Sequence, residues 1–231
     1  MKGLSLGNRM KQYYEEAFKV VLPMRIPLIL RIDGRCFHSW TKKNKLERPF
    51  DEKFIKNMGL MTKELCREIG CAEVAYVQSD EISILIHNYK KLDSQGWFGN
   101  ELQKIVSISS AFCSSYFSRL YLTETMFDCR AFVLPEAEVN NYFLWRQQDA
   151  SRNSIQMLAR SLYSHKQCFK KNTKDLQDMI HEKEMNWNDL ETYKRRGFCV
   201  AKGERGWKID LEIPLFNQDI NYIEQHLEKE E

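Results

Sequence analysis

Residues 73–87 read "EVAYVQSDEISILIH", two β-type runs (73–78 and 82–87) parted by "SDE". No other segment is as restrictive. So short a break between apolar runs makes a hairpin, and the elements around it must pack on that hairpin. Upstream, "IPLILRID" (26–33) reads as a strand. In "FDEKFIKNMGLMTKELCREIG" (50–70), Phe54, Met58, Met61, Leu65 and Ile69 recur at helical spacing, with Asp51 placed to cap the start and Gly70 at the stop. Downstream, "GNELQKIVSISSAFCSSYFSRLYL" (99–122) carries the stripe Leu102, Ile105, Val106, Phe112, Tyr116 and Leu120, and "CRAFVLP" (129–135) is a fourth strand closed by proline. The order β-α-β-β-α-β predicts an α+β, ferredoxin-like core with two helices on one face of an antiparallel sheet.

That topology brings distant acids together. Its first two strands run parallel, with the third antiparallel between them. The end of the first strand (Asp33) and the hairpin turn (Asp80, Glu81) therefore share one sheet edge. A buried strand that ends on a carboxylate is costly unless something binds the charge. Two or three carboxylates on one edge suit a hard cation, chiefly Mg²⁺, which completes its shell with water and substrate phosphates. Two such ions ~3.5–4 Å apart clamp the attacking and leaving oxygens of a phosphoryl transfer. The flanking residues fit a triphosphate. Gly34 allows close backbone approach, N–H groups from Gly34 to His38 can form an anion-binding concavity, and Arg35, Arg48 or Lys104 can neutralise phosphate. Each dipeptide alone is an ordinary turn; the shared edge carries the reading.

Beyond Pro135 the chain turns helical through "EAEVNNYFLWRQQDASRNSIQMLARSLYS" and "TKDLQDMIHEKEM", then closes with a hairpin candidate at 195–213 whose turn is "KGERGW". We expect a palm-like core at 1–135 and a helical and hairpin extension at 136–231, packed as one unit. Residues 160–208 carry 12 Lys/Arg against 7 Asp/Glu, and residues 209–231 carry 1 against 7. The basic body is compatible with a nucleic-acid or nucleotide partner. Hydrophobic content of 43% supports a real core. No apolar run reaches the ~18 residues of a membrane span, and the first residues lack a secretory apolar core. The seven cysteines are odd in number and scattered without a Cys-x-x-Cys pair, which favours reduced thiols and a cytoplasmic setting.

The residues that carry the site also carry a resemblance. "RIDGRCFHSW" (31–40) is similar to the Arg-x-Asp-Gly-Arg-x-Phe-His signature of the tRNA-histidine guanylyltransferases and their relatives, the 3′–5′ RNA polymerases. "QSDEISILI" (78–86) resembles that family's hairpin, and "RPFD" (48–51), "WRQQD" (145–149) and "YKRRG" (193–197) resemble later elements in order. The resemblance implies a polymerase-palm core, a homotetramer, and nucleotide addition to the 5′ end of tRNA. A 5′-monophosphate is activated with ATP, or a 5′-triphosphate end is used directly, and the 3′-hydroxyl of an incoming nucleotide such as GTP then attacks. Carried onto this chain, Asp33, the Gly34 carbonyl and Asp80 would hold Mg²⁺, with Glu81 supporting the site or helping to bind metal. Gly34, Arg35, Cys36, Phe37, His38 and Ser79 would line the triphosphate pocket with Arg48, and Lys104 matches a family lysine near the phosphates.

Arg48 stands where the family usually has lysine. After "WRQQD" the chain reads "ASRNSIQ", where enzymes devoted to tRNA-His carry His-Ile-Asn-Asn-Leu-Tyr; only Asn153 lines up. That resembles the bacterial and archaeal "like" branch. It implies templated repair of 5′-truncated tRNA, with guanosine addition to tRNA-His as a second activity. Arg130, Arg146, Arg152, Asn153, Lys194, Arg195 and Arg196 are candidates for RNA contact, each weighed against an ordinary solvated side chain. "NNYFLW" (140–145) reads as helix core sooner than as a base-stacking platform. A dedicated tRNA-His enzyme, a nucleotidyl cyclase and a non-catalytic RNA-binding palm remain the alternatives. "QSDEIS" lacks the Gly-Gly-Asp/Glu-Glu-Phe turn of dinucleotide cyclases, and all three acids are present, against a binder that has lost catalysis.

Overall fold

The computed structural model describes residues 3–203 and 206–229. The chain forms β1 (Leu28–Gly34), β2 (Ala72–Gln78), β3 (Glu81–Ile86), β4 (Phe127–Val133), β5 (Phe198–Gly203) and β6 (Gly206–Asp210). They make a single sheet in the order β4-β1-β3-β2-β5-β6, and every neighbouring pair is antiparallel. The first four strands thus take the expected ferredoxin-like order. The C-terminal hairpin joins the same sheet by pairing β5 on β2, from Val74–Ala201 to Val77–Phe198. The hairpin turn expected in "KGERGW" lies outside the described residues at 204 and 205.

The helices are α1 (Leu6–Met10), α2 (Phe37–Lys43), α3 (Glu52–Glu68), α4 (Leu102–Tyr121), α5 (Glu136–Leu162), α6 (His165–Cys168), α7 (Thr173–His181), α8 (Thr192–Arg196) and α9 (Asn221–Glu224). Asp51 caps α3 as its position suggests, its carboxylate accepting from Phe54 N–H at 2.7 Å. Alternation along β1 sends Leu28, Leu30 and Ile32 to one face, where Met58, Met61 and Leu65 of α3 and Ile105 and Phe117 of α4 cover them. The other face is covered too. Ile29, Val74 and Leu85 pack under Val139 and Phe143 of α5 and under Ile213, Phe216 and Ile223 of the C-terminal segment. With both faces covered, every residue of β2 and β3 is buried. The acidic C-terminal segment is therefore packed onto the sheet. The second half of α5 forms its own small core with α6 and α7 through Ile155, Leu158, Cys168, Leu176 and Ile180.

Candidate active site

Antiparallel register places Asp33 opposite Glu81 on β3 and opposite Asp128 on β4. The turn from β2 to β3 puts Asp80 at the same edge, and Gly34 N–H donates to the Asp80 carbonyl at 3.2 Å. Gly34 has no room for a side chain: a Cβ there would lie 2.3 Å from Phe37 Cδ2 and 2.7 Å from Asp80 Oδ2. Burial, then the charges of Glu81 and Asp128, push the Asp33 carboxyl up. Burial, then Asp33, pushes Asp80 up to about 6. Two carboxylates repel here and are partly desolvated, with neither in an ion pair among the described residues, so a proton or a cation between them relieves the site.

Glu81 is different. Arg146 donates to it twice, Nε to Oε1 at 2.6 Å and Nη2 to Oε2 at 2.9 Å. Arg31 Nε donates to Oε2 at 3.1 Å and Gln78 Nε2 to Oε1 at 3.1 Å. Both oxygens are occupied, so Glu81 is a fixed, buried ion-pair centre beside Asp33, and of its two expected roles the supporting one fits. Sequence reasoning missed Arg31 as its partner. The signal was there: Arg31 stands two residues from Asp33 in a strand and shares its face.

A cavity of about 570 Å³ opens on this edge. Asp33, Asp80, His38, Arg48 and Ser79 line one side, and Asn153, Gln156, Arg160 and Lys194 line the other. The loop after β1 turns through Cys36, whose φ is +57°, straight into α2. Gly34 and Arg35 N–H are already used, the latter on Met126 O at 2.8 Å. The expected N–H concavity is therefore reduced to Cys36, Phe37 and His38 at the start of α2. Phe37 itself is buried against Phe54, Phe117 and Phe127, so its ring serves the core and only its backbone faces the site.

Other expected residues fall elsewhere. Lys104 starts α4 at the far end of the sheet. There Asn100 bonds Asn88, just past the end of β3, at 3.1 Å, while Asp80 lies at the other end of that six-residue strand, roughly 20 Å away. Lys104 pairs with Glu101 at 3.2 Å, so this chain does not bring it to the acids. Arg146 has 4% of its side chain exposed, because it lies on the buried stripe of α5 with Val139, Phe143 and Ala150, and its guanidinium is engaged by Glu81 and Asp149. Arg196 donates to Ile213 O at 2.9 Å. Arg195 lies over Trp187. Lys194 pairs with Glu52 and Glu191. Arg152 and Asn153 both donate to Asp149. Arg130 is exposed on edge strand β4, and Arg35 is exposed beside Met126. In "NNYFLW", Tyr142 and Phe143 are core as expected, but Trp145 is 47% exposed, with the Arg146 guanidinium 4.3 Å from its ring centre.

Gly197 closes the "YKRRG" element at φ +76°, and a Cβ there would lie 2.5 Å from the Val77 carbonyl oxygen. Tyr76 donates from its hydroxyl to Arg196 O at 2.6 Å next to it, which seats α8 on β2 beneath the cavity.

No helix among the described residues is long and apolar enough to cross a membrane. Nor do the described residues hold a group of three or more His, Cys, Asp or Glu side chains arranged for a metal. The expected donor set is two carboxylates and a backbone carbonyl. That is too few for a closed protein cage, but it fits Mg²⁺ shared with substrate phosphates.

Residues 7–135 match the family model described as tRNAHis guanylyltransferase (Thg1). A probable tRNA(His) guanylyltransferase of Dictyostelium discoideum is 30% identical over 157 residues, 63% of this chain and 59% of that protein. The chain spans about half the length of the curated relatives it matches. Among solved structures, a bacterial tRNA(His) guanylyltransferase-like protein in complex with ATP superposes with a TM-score of 0.91 at 46% identity, covering 96% of this chain and 99% of that one. A bacterial protein of the same description in complex with GTP superposes at 0.86 with 43% identity, covering 97% and 99%.

Proposed function

We propose that this chain, which belongs to the tRNAHis guanylyltransferase family, is a nucleotidyltransferase that adds nucleotides to the 5′ end of tRNA in the 3′–5′ direction. The observation that carries it is the uncompensated pair Asp33 and Asp80 on the wall of a cavity with Arg48, Ser79 and His38 around it. Asp33, the Gly34 carbonyl and Asp80 would hold Mg²⁺. When bound, the metal neutralises phosphate charge and lowers the pKa of an attacking hydroxyl.

The chain's own residues do the rest. Arg48 and the N–H groups of Cys36, Phe37 and His38 receive the triphosphate. Glu81, held by Arg31 and Arg146, fixes the strand edge that carries Asp33. In the activation step a 5′-phosphate oxygen of the RNA attacks the α-phosphorus of ATP, and pyrophosphate leaves. In the transfer step the 3′-hydroxyl of the incoming nucleotide attacks the RNA 5′-phosphorus. The new phosphodiester forms, AMP leaves, and the hydroxyl proton passes to solvent.

We favour templated repair of 5′-truncated tRNA, with guanosine addition to tRNA-His as a second activity. Support comes from "ASRNSIQ": Asn153, Ser154 and Gln156 lie on the cavity wall, so the stretch that departs from the dedicated enzymes faces the reacting groups. The exposed apolar residues Leu6, Tyr14 and Phe18 of the N-terminal arm support assembly as a homotetramer, which mass photometry would test. The decisive assay takes a tRNA lacking its first nucleotide with Mg²⁺, ATP and each nucleoside triphosphate in turn. Extension only by the nucleotide complementary to the acceptor strand is expected. Guanosine addition whatever the template would mark a dedicated tRNA-His enzyme, and no extension would reject the transferase reading.

A further inference from the structure

A second cavity, of about 150 Å³, lies at the far end of α5, and Gln156 and Arg160 line both it and the larger one. Its other walls include His165, Phe169, Lys170 and Lys171. Among the described residues, no acidic side chain lines it. The segment from 160 to 171 carries Arg160, Lys166, Lys170 and Lys171 and no Asp or Glu.

These cations differ from most of the site's basic residues. Arg31, Arg146, Arg152 and Lys194 are all in ion pairs. Arg160, Lys170 and Lys171 are in none of the ion pairs among the described residues; Lys170 lies only over the exposed Phe169 ring, at 5.5 Å. Three unpaired cations around a shared hollow repel one another and are best satisfied by a polyanion.

The connection has a direction. Asn153, Gln156, Met157 and Arg160 recur at helical spacing and line the larger cavity. They form a stripe of two turns, about 10 Å long. It leads from the reacting edge to the basic hollow. At ~3.4 Å per nucleotide along a strand, that length holds two to three nucleotides.

We infer that the α5–α6 hollow is a docking site for RNA backbone phosphates, holding the acceptor strand two to three nucleotides from the reacting 5′ end. This rests on the transferase reading, which supplies the RNA. The docked phosphates carry no sequence information and fix register only, so the site suits an enzyme that accepts several tRNAs.

The test is the salt dependence of tRNA binding, read by fluorescence anisotropy with EDTA and no nucleotide. The double variant Lys170→Gln, Lys171→Gln, whose residues line only the smaller hollow, is compared with wild type and with Lys166→Gln, which lies on the same segment but off the cavity wall. Each lost phosphate contact lowers the log–log salt slope by roughly 0.7–0.9. The double variant is expected to lose about 1.5 in slope and to bind ten- to a hundredfold more weakly near 0.1 M salt. Its thermal midpoint and its affinity for ATP and GTP should stay at wild-type values, and Lys166→Gln should behave as wild type. An unchanged slope overturns the inference. So does a loss of ATP or tripolyphosphate binding with tRNA binding intact, which would make the hollow a nucleotide subsite. A variant with a lowered midpoint is replaced by Lys171→Gln alone, for which a slope loss near one is expected and none overturns the inference. Wild type that binds tRNA with the expected slope but extends nothing would reject the transferase reading and keep the docking site; wild type that binds no tRNA would reject both.

Discussion

Arg146 grips Glu81 with a two-pronged contact, Nε to Oε1 at 2.6 Å and Nη2 to Oε2 at 2.9 Å, across 65 residues of sequence. Both side chains are below 10% exposed. Breaking one half of a buried pair strands the other charge. Arg146→Ala should therefore cost about 3 kcal/mol of unfolding free energy, Arg31 remaining as a partial partner. Arg146→Lys keeps the charge but not the fork and should recover less than half of the loss. Denaturant unfolding measures both. Because Arg146 is buried, the salt slope of tRNA binding should not change in folded Arg146→Lys; a drop near one would return it to the RNA-contacting set.

Asp80 carries an opposite expectation. Its carboxylate is destabilised by burial and by Asp33 in the metal-free chain. Asp80→Asn removes that repulsion. At pH 7 the variant should be more stable to unfolding than metal-free wild type by roughly 1–2 kcal/mol, while nucleotide addition falls below detection. A variant that is less stable, or one that retains full activity, would count against Asp80 as a metal-holding acid.

The order β1-α3-β2-β3-α4-β4 was legible because each of those elements is signalled locally, by β-type apolar runs in the strands and by apolar stripes in α3 and α4. The meeting of Asp33 and Asp80 followed from topology alone. What was not legible has physical reasons. Helix α2 has no capping side chain, since Cys36 precedes it in a left-handed conformation, so the usual Ser/Asp start signal is missing. The pairing of β5 on β2 joins residues more than 100 apart and leaves no local mark. Arg146 reads as an RNA contact by residue type, whereas its place on the Val139–Phe143–Ala150 stripe turns it inward onto Glu81. Lys104 was placed by resemblance, and the register of α4 carries it to the other end of the sheet.

Gly34 is the tightest point of the site. A methyl there would meet Phe37 and Asp80 at 2.3 and 2.7 Å, and both neighbours are held, Phe37 by an aromatic cluster and Asp80 by its turn. Gly34→Ala should move the Asp80 carboxylate off its position and lower kcat/KM for addition by at least a hundredfold, in keeping with the effect of a 1 Å misplacement. Overpacking should cost about 1–3 kcal/mol. Steady-state kinetics with thermal unfolding separates the two; wild-type kcat/KM in a folded variant would show that the acids tolerate displacement.

Proton linkage gives the metal reading a test that needs no catalysis. In the metal-free chain Asp80 sits near pKa 6 against 3.8 for a free aspartate. The fold thus binds that proton more tightly than the unfolded chain does. The stability this group contributes is complete below pH 3.8 and is lost as pH rises through 6. His87 and His226 act the other way. Burial lowers each to about 4 from 6.5, so their contribution is complete above pH 6.5 and is lost as pH falls through 4. His87, with neither ring nitrogen hydrogen-bonded, should be replaceable by Phe with a gain in stability at pH 5. Both histidines act with and without metal, so they cancel when the two are compared. Mg²⁺ must displace the Asp80 proton, and its apparent affinity should rise about tenfold per pH unit below 6 and level off above it. The rise in thermal midpoint on adding Mg²⁺ should therefore be small at pH 5, larger at pH 6 and full at pH 7, and absent at every pH in Asp80→Asn. A Mg²⁺ effect that does not vary between pH 5 and 7 would place the ion away from Asp80.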